Sequence, residues 1–221
     1  MSGSRRIMET IKDILCNGEG SIGVGSLIIF IAMVIVAGVA ASMLIQTMDS
    51  LQQQALSTSQ ESLRDVANGL KITHISGYSN GTKITQVAFF ISPVAGSNGI
   101  DLTYTTVVLS DTNNQVILSY NSTCYSEDTS SGLFNSINSS NLSSSTYGII
   151  VIRDIDDSCT FSTPVINDDD LVAILVNTTK CFNGLNTRTK IQGRIIPEAG
   201  VATAFMFTTP SAYVDTVIDL Q

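Results

Sequence analysis

The sequence is poor in the residues from which catalytic and metal sites are usually built. It has no tryptophan, one histidine (His74) and four cysteines, none of them in a C-x-x-C pair. A lone histidine in an alternating segment has no neighbouring carboxylate to position it, so we expect His74 to be a surface side chain on a strand. No cysteine spacing indicates zinc. G-x-S-x-G, H-E-x-x-H and P-loop patterns are also absent, so nothing in the chain predicts an enzyme.

Charged residues are scarce as well. They make up 14% of the 221 residues, with 19 acidic against 11 basic side chains. The first twenty residues hold three of each sign, so the formal net charge of −8 belongs to the rest of the chain. An acidic surface repels polyphosphate, and nucleic acid is therefore not an expected partner. The second half is rich in serine, threonine and asparagine, which is typical of β domains outside the cell.

The most prominent feature that is present is a long apolar segment. Residues Ser21–Met48 contain no charge over 28 positions. As a helix this segment would be roughly 42 Å long, which exceeds the ~30 Å hydrocarbon core of a bilayer. It has no polar face, so either lipid or other helices must surround it. Ala37 and Ala41, like Gly38 and Ser42, lie four residues apart and would let a second helix approach closely.

A short charged leader precedes the apolar segment and breaks at Asn17–Gly20. Conventional secretory signals are cleaved after the apolar segment, whereas this glycine break lies before it. The residues alone leave three outcomes open: cleavage between Gly20 and Ser21, cleavage after Val39–Ala41, or no cleavage and a simple signal anchor. Loss of Cys16 with the leader would leave three cysteines, enough for one bridge and one free thiol.

The later pattern predicts an α+β protein. The helix is expected to run from about Ser26 to Ala67 and to end at Asn68–Gly69, where glycine offers a left-handed cap. From Leu70 the apolar period changes to two. Eight or nine short strands without intervening helices predict an Ig-like antiparallel β-sandwich or barrel. Residues 121–147 are poor in apolar side chains and are predicted to form a long exposed insertion.

Two kinds of polar site can be predicted. N-x-Ser/Thr sequons permit glycosylation at Asn80, Asn121, Asn138, Asn141 and Asn177. Acidic residues cluster at Asp154, Asp156 and Asp157 and again at 168–170. Solvated turns account for both clusters, and a bound hard cation such as Ca²⁺ is the alternative.

The residues around the apolar segment resemble a known family. The leader ending in Gly20, followed by Ser21–Ile45, is similar to the N-terminus of archaeal flagellins, the archaellins. The similarity continues through Val66–Leu70, Ile91–Asp101, Tyr147–Val151, Pro164–Asn167 and Cys181–Gly184, and it closes with Thr208–Gln221. It therefore covers nearly all of the chain after residue 20.

The resemblance implies a domain organisation. Residues 1–20 would be a class III, prepilin-type signal peptide, cut between Gly20 and Ser21 by a prepilin-type peptidase. Residues 21–68 would be a helix that anchors the precursor in the cytoplasmic membrane and later forms the filament core. Residues 69–221 would be the outer β domain, commonly N-glycosylated in this family. One departure is Glu19, where the family usually has a basic residue.

The resemblance also implies a function, that of a structural subunit of the extracellular archaeal flagellum (archaellum) filament, which serves motility. Its partners would be further copies of itself, other archaellins, a membrane assembly platform and an ATPase, with no cofactor. The alternative is a type IV pilin-like subunit of an adhesive filament. Such pilins usually carry a glutamate near the mature start, where Gly25 stands here. In some relatives of the flagellin family a cysteine pair matches Cys159 and Cys181, which predicts a bridge between them and leaves Cys124 free.

Overall fold

The computed structural model describes residues 7, 8, 10, 12 and 19–221, with side chains from residue 23 onward in the long helix. Cys16 lies outside these residues. The chain divides into two compact units, Met1–Ser59 and Gln60–Gln221. The first of them is helical in its described part, and the second contains the β structure.

One long helix, α1, spans Glu19–Ala67. Its 49 residues correspond to roughly 74 Å at about 1.5 Å per residue. The predicted helix is confirmed, and it begins several residues earlier than the sequence indicated. All of its described side chains, from residue 23 to residue 67, are exposed.

The rest of the described chain is mainly β structure. The strands are β1 (Leu70–Ser79), β2 (Ile84–Pro93), β3 (Ile100–Asp101), β4 (Thr106–Ser110), β5 (Gln115–Ser126), β6 (Thr146–Arg153), β7 (Val165–Ile166), β8 (Leu171–Asn177), β9 (Lys190–Ile196), β10 (Thr203–Thr208) and β11 (Val217–Asp219). A short 3₁₀ turn spans Leu133–Asn135, and a short helix, α2, spans Thr178–Phe182.

Within the described residues, nine strands form one sheet in the order β10-β9-β4-β5-β6-β8-β2-β1-β11, and β3 pairs with β7. Every pair except β5–β6 is antiparallel in this part of the chain. The sheet curls until β10 reaches the start of β1, where the Thr203 hydroxyl donates to the Leu70 carbonyl. The predicted antiparallel β domain is therefore confirmed, as a curled sheet with one parallel pair.

The inner face of the curled sheet holds the main core. Three aromatic rings meet there: Phe89 lies 4.7 Å from Phe205 and 6.5 Å from Phe207, measured between ring centroids. The Tyr147 side chain is fully buried, and its hydroxyl donates to the carbonyls of Leu102 and Thr105 at 3.0 and 2.9 Å. Burial of large side chains of this kind stabilises the unit by about 1.5–3 kcal/mol each.

The segment 121–147 differs from its prediction as a long exposed insertion. Its first part extends β5 to Ser126, and five of its apolar side chains are buried: Cys124, Phe134, Ile137, Leu142 and Tyr147. Tyr147 belongs to the main core, and the other four pack with residues of β2, β6 and β8 in a second core cluster. Few apolar side chains are enough to pack this segment against the sheet, because each of them covers part of the sheet.

The end of α1 is fixed by the β unit. Asn68 is buried, its side-chain oxygen accepts from the Asn98 N–H at 2.9 Å, and its carbonyl accepts from the Val201 N–H at 3.0 Å. The Gly69 N–H donates to the Ser97 hydroxyl at 3.2 Å. The predicted stop is confirmed, but the predicted left-handed cap is wrong, because Gly69 is not among the glycines with positive φ. The helix ends where its backbone groups find partners in the sheet.

This junction generates a prediction about Gly200. Its φ is +115°, and a Cβ atom there would lie 2.4 Å from the Asn68 carbonyl oxygen. Gly81 also has positive φ (+88°) but has no heavy atom within 4 Å of a built Cβ. We expect Gly200→Ala to lower the free energy of unfolding of fragment 60–221 by about 3 kcal/mol and Gly81→Ala by only about 1 kcal/mol. Urea titrations followed by circular dichroism measure both, and equal losses would contradict the role of close packing at Asn68.

Candidate assembly helix and polar sites

The surface of α1 is the most unusual feature of the molecule. Between Leu27 and Ile45 the large apolar side chains are between 49% and 68% exposed. They occupy every side of the helix, since no polar face interrupts them. Among the described residues one helix, Gly23–Ala67, is long and apolar enough to cross a membrane. Soluble monomers rarely expose apolar patches of this extent, so lipid or protein must cover this surface.

Two hydroxyls within the apolar stretch are satisfied locally. The Ser26 hydroxyl donates to the Gly23 carbonyl at 2.9 Å, and the Thr47 hydroxyl donates to the Met43 carbonyl. A hydroxyl that bonds back to its own helix needs no outside partner, which suits apolar surroundings. A Cβ built on Gly38 would have no heavy atom within 4 Å, so the backbone there is open to a neighbouring helix.

The predicted cleavage residues, Gly20 and Ser21, lie in the first turn of α1. Their side chains are outside the described ones. Cleavage between them stays a prediction. It would leave the whole apolar surface on the mature chain.

The five sequons differ in their surroundings. Asn80, Asn138 and Asn141 are exposed, and Asn121 is half-buried. Asn177 is buried, with 6% of its surface exposed, and its side-chain nitrogen donates to the Ser139 carbonyl at 2.9 Å. That nitrogen is the atom that a glycan would modify, so the structure leaves four accessible candidates.

Asn177 has a structural role instead. Its side-chain oxygen accepts from the N–H groups of Thr179 and Lys180, at 3.1 and 3.2 Å, and so caps α2. Asparagine is among the best residues at such a position. The sequence contains this signal, because Asn177 immediately follows an apolar strand and precedes a short helix.

The acidic residues that the structure brings together are Asp154, Asp156 and Asp170, whose ligand atoms lie within 4.8 Å of one another. Asp157, which was predicted with the first two, is not in this group and has a positive φ of 56°. Asp170 comes from the second acidic stretch and is fully buried. Asp170 is distant from Asp154 in the sequence, and the fold of β7 and β8 brings it back beside Asp154. The sequence alone therefore did not reveal this contact.

Each carboxylate of this cluster accepts hydrogen bonds from its surroundings. The Asn167 amide donates to Asp156 at 2.7 Å, and together with Ser158 it lowers the pKa of Asp156. Asp154 accepts from the Cys159 N–H at 2.9 Å, and Asp170 accepts from the Asn167 N–H at 2.9 Å. Three carboxylate oxygens suit a hard divalent cation such as Ca²⁺ as ligands. Binding of such a cation stays a prediction.

The bridge expected between Cys159 and Cys181 is not formed. Both are free thiols, as is Cys124. Cys159 follows the end of β6, where Arg153 pairs with Leu171 at the start of β8, and Cys181 follows the far end of β8. The seven residues of β8 span roughly 20 Å, whereas a disulfide needs Cα atoms about 4.4–6.8 Å apart. The two thiols lie at opposite ends of one strand pair.

His74 lies on β1 with its side chain 40% exposed, so the prediction of a surface strand residue is confirmed. Its ring lies 5.4 Å from that of Phe90, and its Nδ1 lies 3.5 Å from an oxygen of Asp219. Asp219 belongs to β11, which pairs with β1. This contact joins the C-terminal strand to the sheet.

Comparisons with known proteins agree with this arrangement. Residues 20–207 match the family model of archaeal-type flagellin. Flagellin B2 of Methanocaldococcus jannaschii is 43% identical over 215 residues, which cover 96% of this chain and 99% of that protein. The crystal structure of archaeal flagellin FlaB1 from the same organism has a TM-score of 0.65 and 35% identity, and the match covers 70% of this chain and 98% of that one.

The fold extends to a more distant structure. The archaeal flagellum of Methanospirillum hungatei strain JF1 has a TM-score of 0.63 at 17% identity, with 89% of this chain and 98% of that chain covered. Together, family and fold define the class of protein, a structural filament subunit. The chain belongs to the archaeal-type flagellin family. It is a subunit of the archaeal flagellum filament, which serves motility, and its relatives are structural flagellins rather than enzymes.

The bare apolar surface of α1 generates a second prediction. We expect Ala37→Asp to abolish filaments, because a charge at the centre of an apolar helix costs about 2.5–3.5 kcal/mol in a membrane and has no counter-ion among identical helices. Ala55→Asp is the matched control, since Ala55 lies among glutamine and serine residues of the same exposed helix. Filaments are counted by electron microscopy in cells that express each variant as the sole flagellin. Normal filaments built from the Ala37→Asp protein would show that this surface is not enclosed.

The free thiols generate a third prediction. Burial raises the pKa of Cys159 to about 12 and that of Cys181 to about 11, and it also raises the pKa of Cys124. The folded thiols therefore stay protonated at pH 8 and should react slowly with iodoacetamide. In guanidinium without reductant, we expect fragment 60–221 to label at all three cysteines.

The same pKa shifts set a pH dependence. In the unfolded state the thiols ionise near their ordinary pKa of 9.0, whereas the folded thiols stay protonated to higher pH. As the pH rises, ionisation therefore stabilises the unfolded state before it stabilises the folded state. Stability is thus retained below about pH 9 and falls as the pH rises from about 9 to 11. Mass spectrometry of the labelled fragment and its Tm as a function of pH check both points. If only one cysteine is labelled, and all three are labelled once a reductant is added, a disulfide bridge exists.

Proposed function

We propose that this flagellin polymerises through α1, which forms the core of the filament after the leader is removed between Gly20 and Ser21. The observation that carries the proposal is the exposure of apolar side chains on every side of the helix. The β unit has its own core, with Tyr147, Phe89 and Ile75 fully buried, and needs no cover from the helix. The helix is thus free to pack against copies of itself.

Before assembly the helix would lie in the cytoplasmic membrane. The uncharged stretch is longer than the hydrocarbon core, and its Ser26 and Thr47 hydroxyls bond within the helix. Moving it from lipid into a bundle of identical helices is nearly neutral hydrophobically, because both surroundings are apolar. Assembly then depends on close packing at small residues such as Gly38 and on contacts between β units.

Several partners follow from this route. A prepilin-type peptidase would remove the leader, and a membrane platform with an ATPase would supply the work of extraction. Other copies of this chain, and other archaellins, would surround α1. A contact that repeats head to tail without closing makes a helical filament.

The β unit would face water outside the cell. Its formal charge is negative, and the accessible sequons Asn80, Asn121, Asn138 and Asn141 lie on it. Glycans at these positions would not disturb either hydrophobic cluster. No described residue supplies a catalytic constellation around His74, whose carboxylate partner is Asp219.

Shearing filaments from cells that express this chain as the sole flagellin tests the proposal and is our fourth prediction. We expect N-terminal sequencing of the filament protein to begin at Ser21. Gly20→Val should block cleavage because the added side chain fills the scissile position, and the protein should then stay in the membrane with Met1 retained. Gly3→Val, in the same leader, should leave cleavage and filaments unchanged. Filament protein that begins beyond Ala41 would overturn the proposal.

A further inference from the structure

One face of the β unit differs from the rest of this acidic protein. The outward-pointing residues of β10, β9, β4 and β5 form two rows across the sheet: Ala204, Arg194, Val108 and Ile117, then Met206, Gln192, Ser110 and Gln115. We call these eight residues, together with Lys190 on the same side of β9, the basic face. Seven of the eight line a shallow groove, and Ile117 and Met206 are 60% and 56% exposed. None of the four strands contains an aspartate or glutamate.

The cations of the basic face have no partners. They are Arg194 and, further along β9, Lys190, which lies opposite Thr208. Neither side chain has a hydrogen bond or ion pair with any residue that the structure describes. Exposed methionine and arginine, with few other charges, are typical of protein interfaces.

The complementary surface lies at the other end of the same unit. Beyond the end of β6 and before the start of β8 lie the exposed Asp157, Asp168 and Asp169, whose carboxylates have no hydrogen bonds in the described part of the chain. Ile155, 71% exposed, lies between the acidic residues. We call this group the acidic end. It offers three carboxylates and an apolar side chain, and the exposed Arg153 beside them donates to the Asp169 carbonyl at 2.7 Å.

The two surfaces cannot meet within one chain. Ser119, two residues beyond Ile117 on β5, pairs with Thr146, and the acidic end begins seven residues further along β6. At about 3.3 Å per residue, these nine residues place the basic face and the acidic end roughly 30 Å apart. Because they are different surfaces, their contact between copies is heterologous and does not close, as a filament requires.

We propose that the basic face of one subunit binds the acidic end of a second copy in the filament. Arg194 and Lys190 would pair with the carboxylates of that copy, and Ile155 would lie against Met206 or Ile117. The inference rests on the proposed function, since neighbouring β units are held at high local concentration once α1 has polymerised. Without this contact, the cations of the basic face and the carboxylates of the acidic end would have no oppositely charged side chain facing them.

Carbodiimide cross-linking of native sheared filaments tests the proposal directly, since this reagent joins a lysine to a carboxylate only in contact. We expect peptides that link Lys190 to Asp157, Asp168 or Asp169. Such a link must join two copies, given the separation within one chain. Cross-links between other lysine and carboxylate pairs, with none from Lys190, would overturn the proposal.

Charge reversal gives an independent test. Arg194→Glu should reduce the yield of filaments several-fold at low salt, and added salt should partly restore that yield, because like charges then face each other and salt screens their repulsion. Lys180→Glu, an exposed cation on α2, is the control and should leave both unchanged. The double variant Arg194→Glu with Asp157→Lys should recover filaments. Unaltered folding of Arg194→Glu is checked by the Tm of fragment 60–221.

The outcomes separate this inference from the proposed function. Filaments that begin at Ser21 but tolerate Arg194→Glu without change would overturn the basic-face contact alone. Intact Arg194→Glu filaments that lose binding to dextran sulfate beads would likewise overturn it, in favour of a polyanionic partner. Absence of the chain from all filaments would instead overturn the proposed function.

Discussion

The constraint on which this molecule depends is the water-exposed apolar surface of α1. Large aliphatic side chains cover every side of a helix that is about 42 Å long in its uncharged part. At roughly 25 cal/mol per Å² of apolar surface, such a helix cannot remain in water, so another apolar surface has to cover it. A core of identical helices is the cover that we propose for the filament, and the membrane is the cover that we propose for the precursor.

This constraint explains how the β unit is built. Since the helix is occupied elsewhere, the sheet closes on itself: β10 reaches β1, the aromatic side chains Phe89, Phe205 and Phe207 fill the interior, and residues 121–147 cover one outer region. The point where the helix joins this unit is held by buried hydrogen bonds at Asn68 and Ser97.

The charges of the β unit also affect how copies of the chain can meet. The acidic balance of the chain is not spread evenly, since six carboxylates lie between β6 and β8 whereas the strands β4, β5, β9 and β10 carry none. A chain with this distribution repels copies of itself in most orientations and attracts them in few. Electrostatics of this kind sets register in a polymer more than it sets affinity.

The sequence by itself determined the long helix, its end near Asn68, the change to strands at Leu70 and the family, because these depend on local periodicity and on motifs that lie together in the chain. It also located the five sequons and the surface position of His74. Only the tertiary structure decided which distant residues meet. It brought Asp170 rather than Asp157 to Asp154, placed Cys159 and Cys181 at opposite ends of a strand pair, and buried Asn177 as a cap. The physical reason is that strand order and register set these distances, and neither is written in the spacing of the residues themselves.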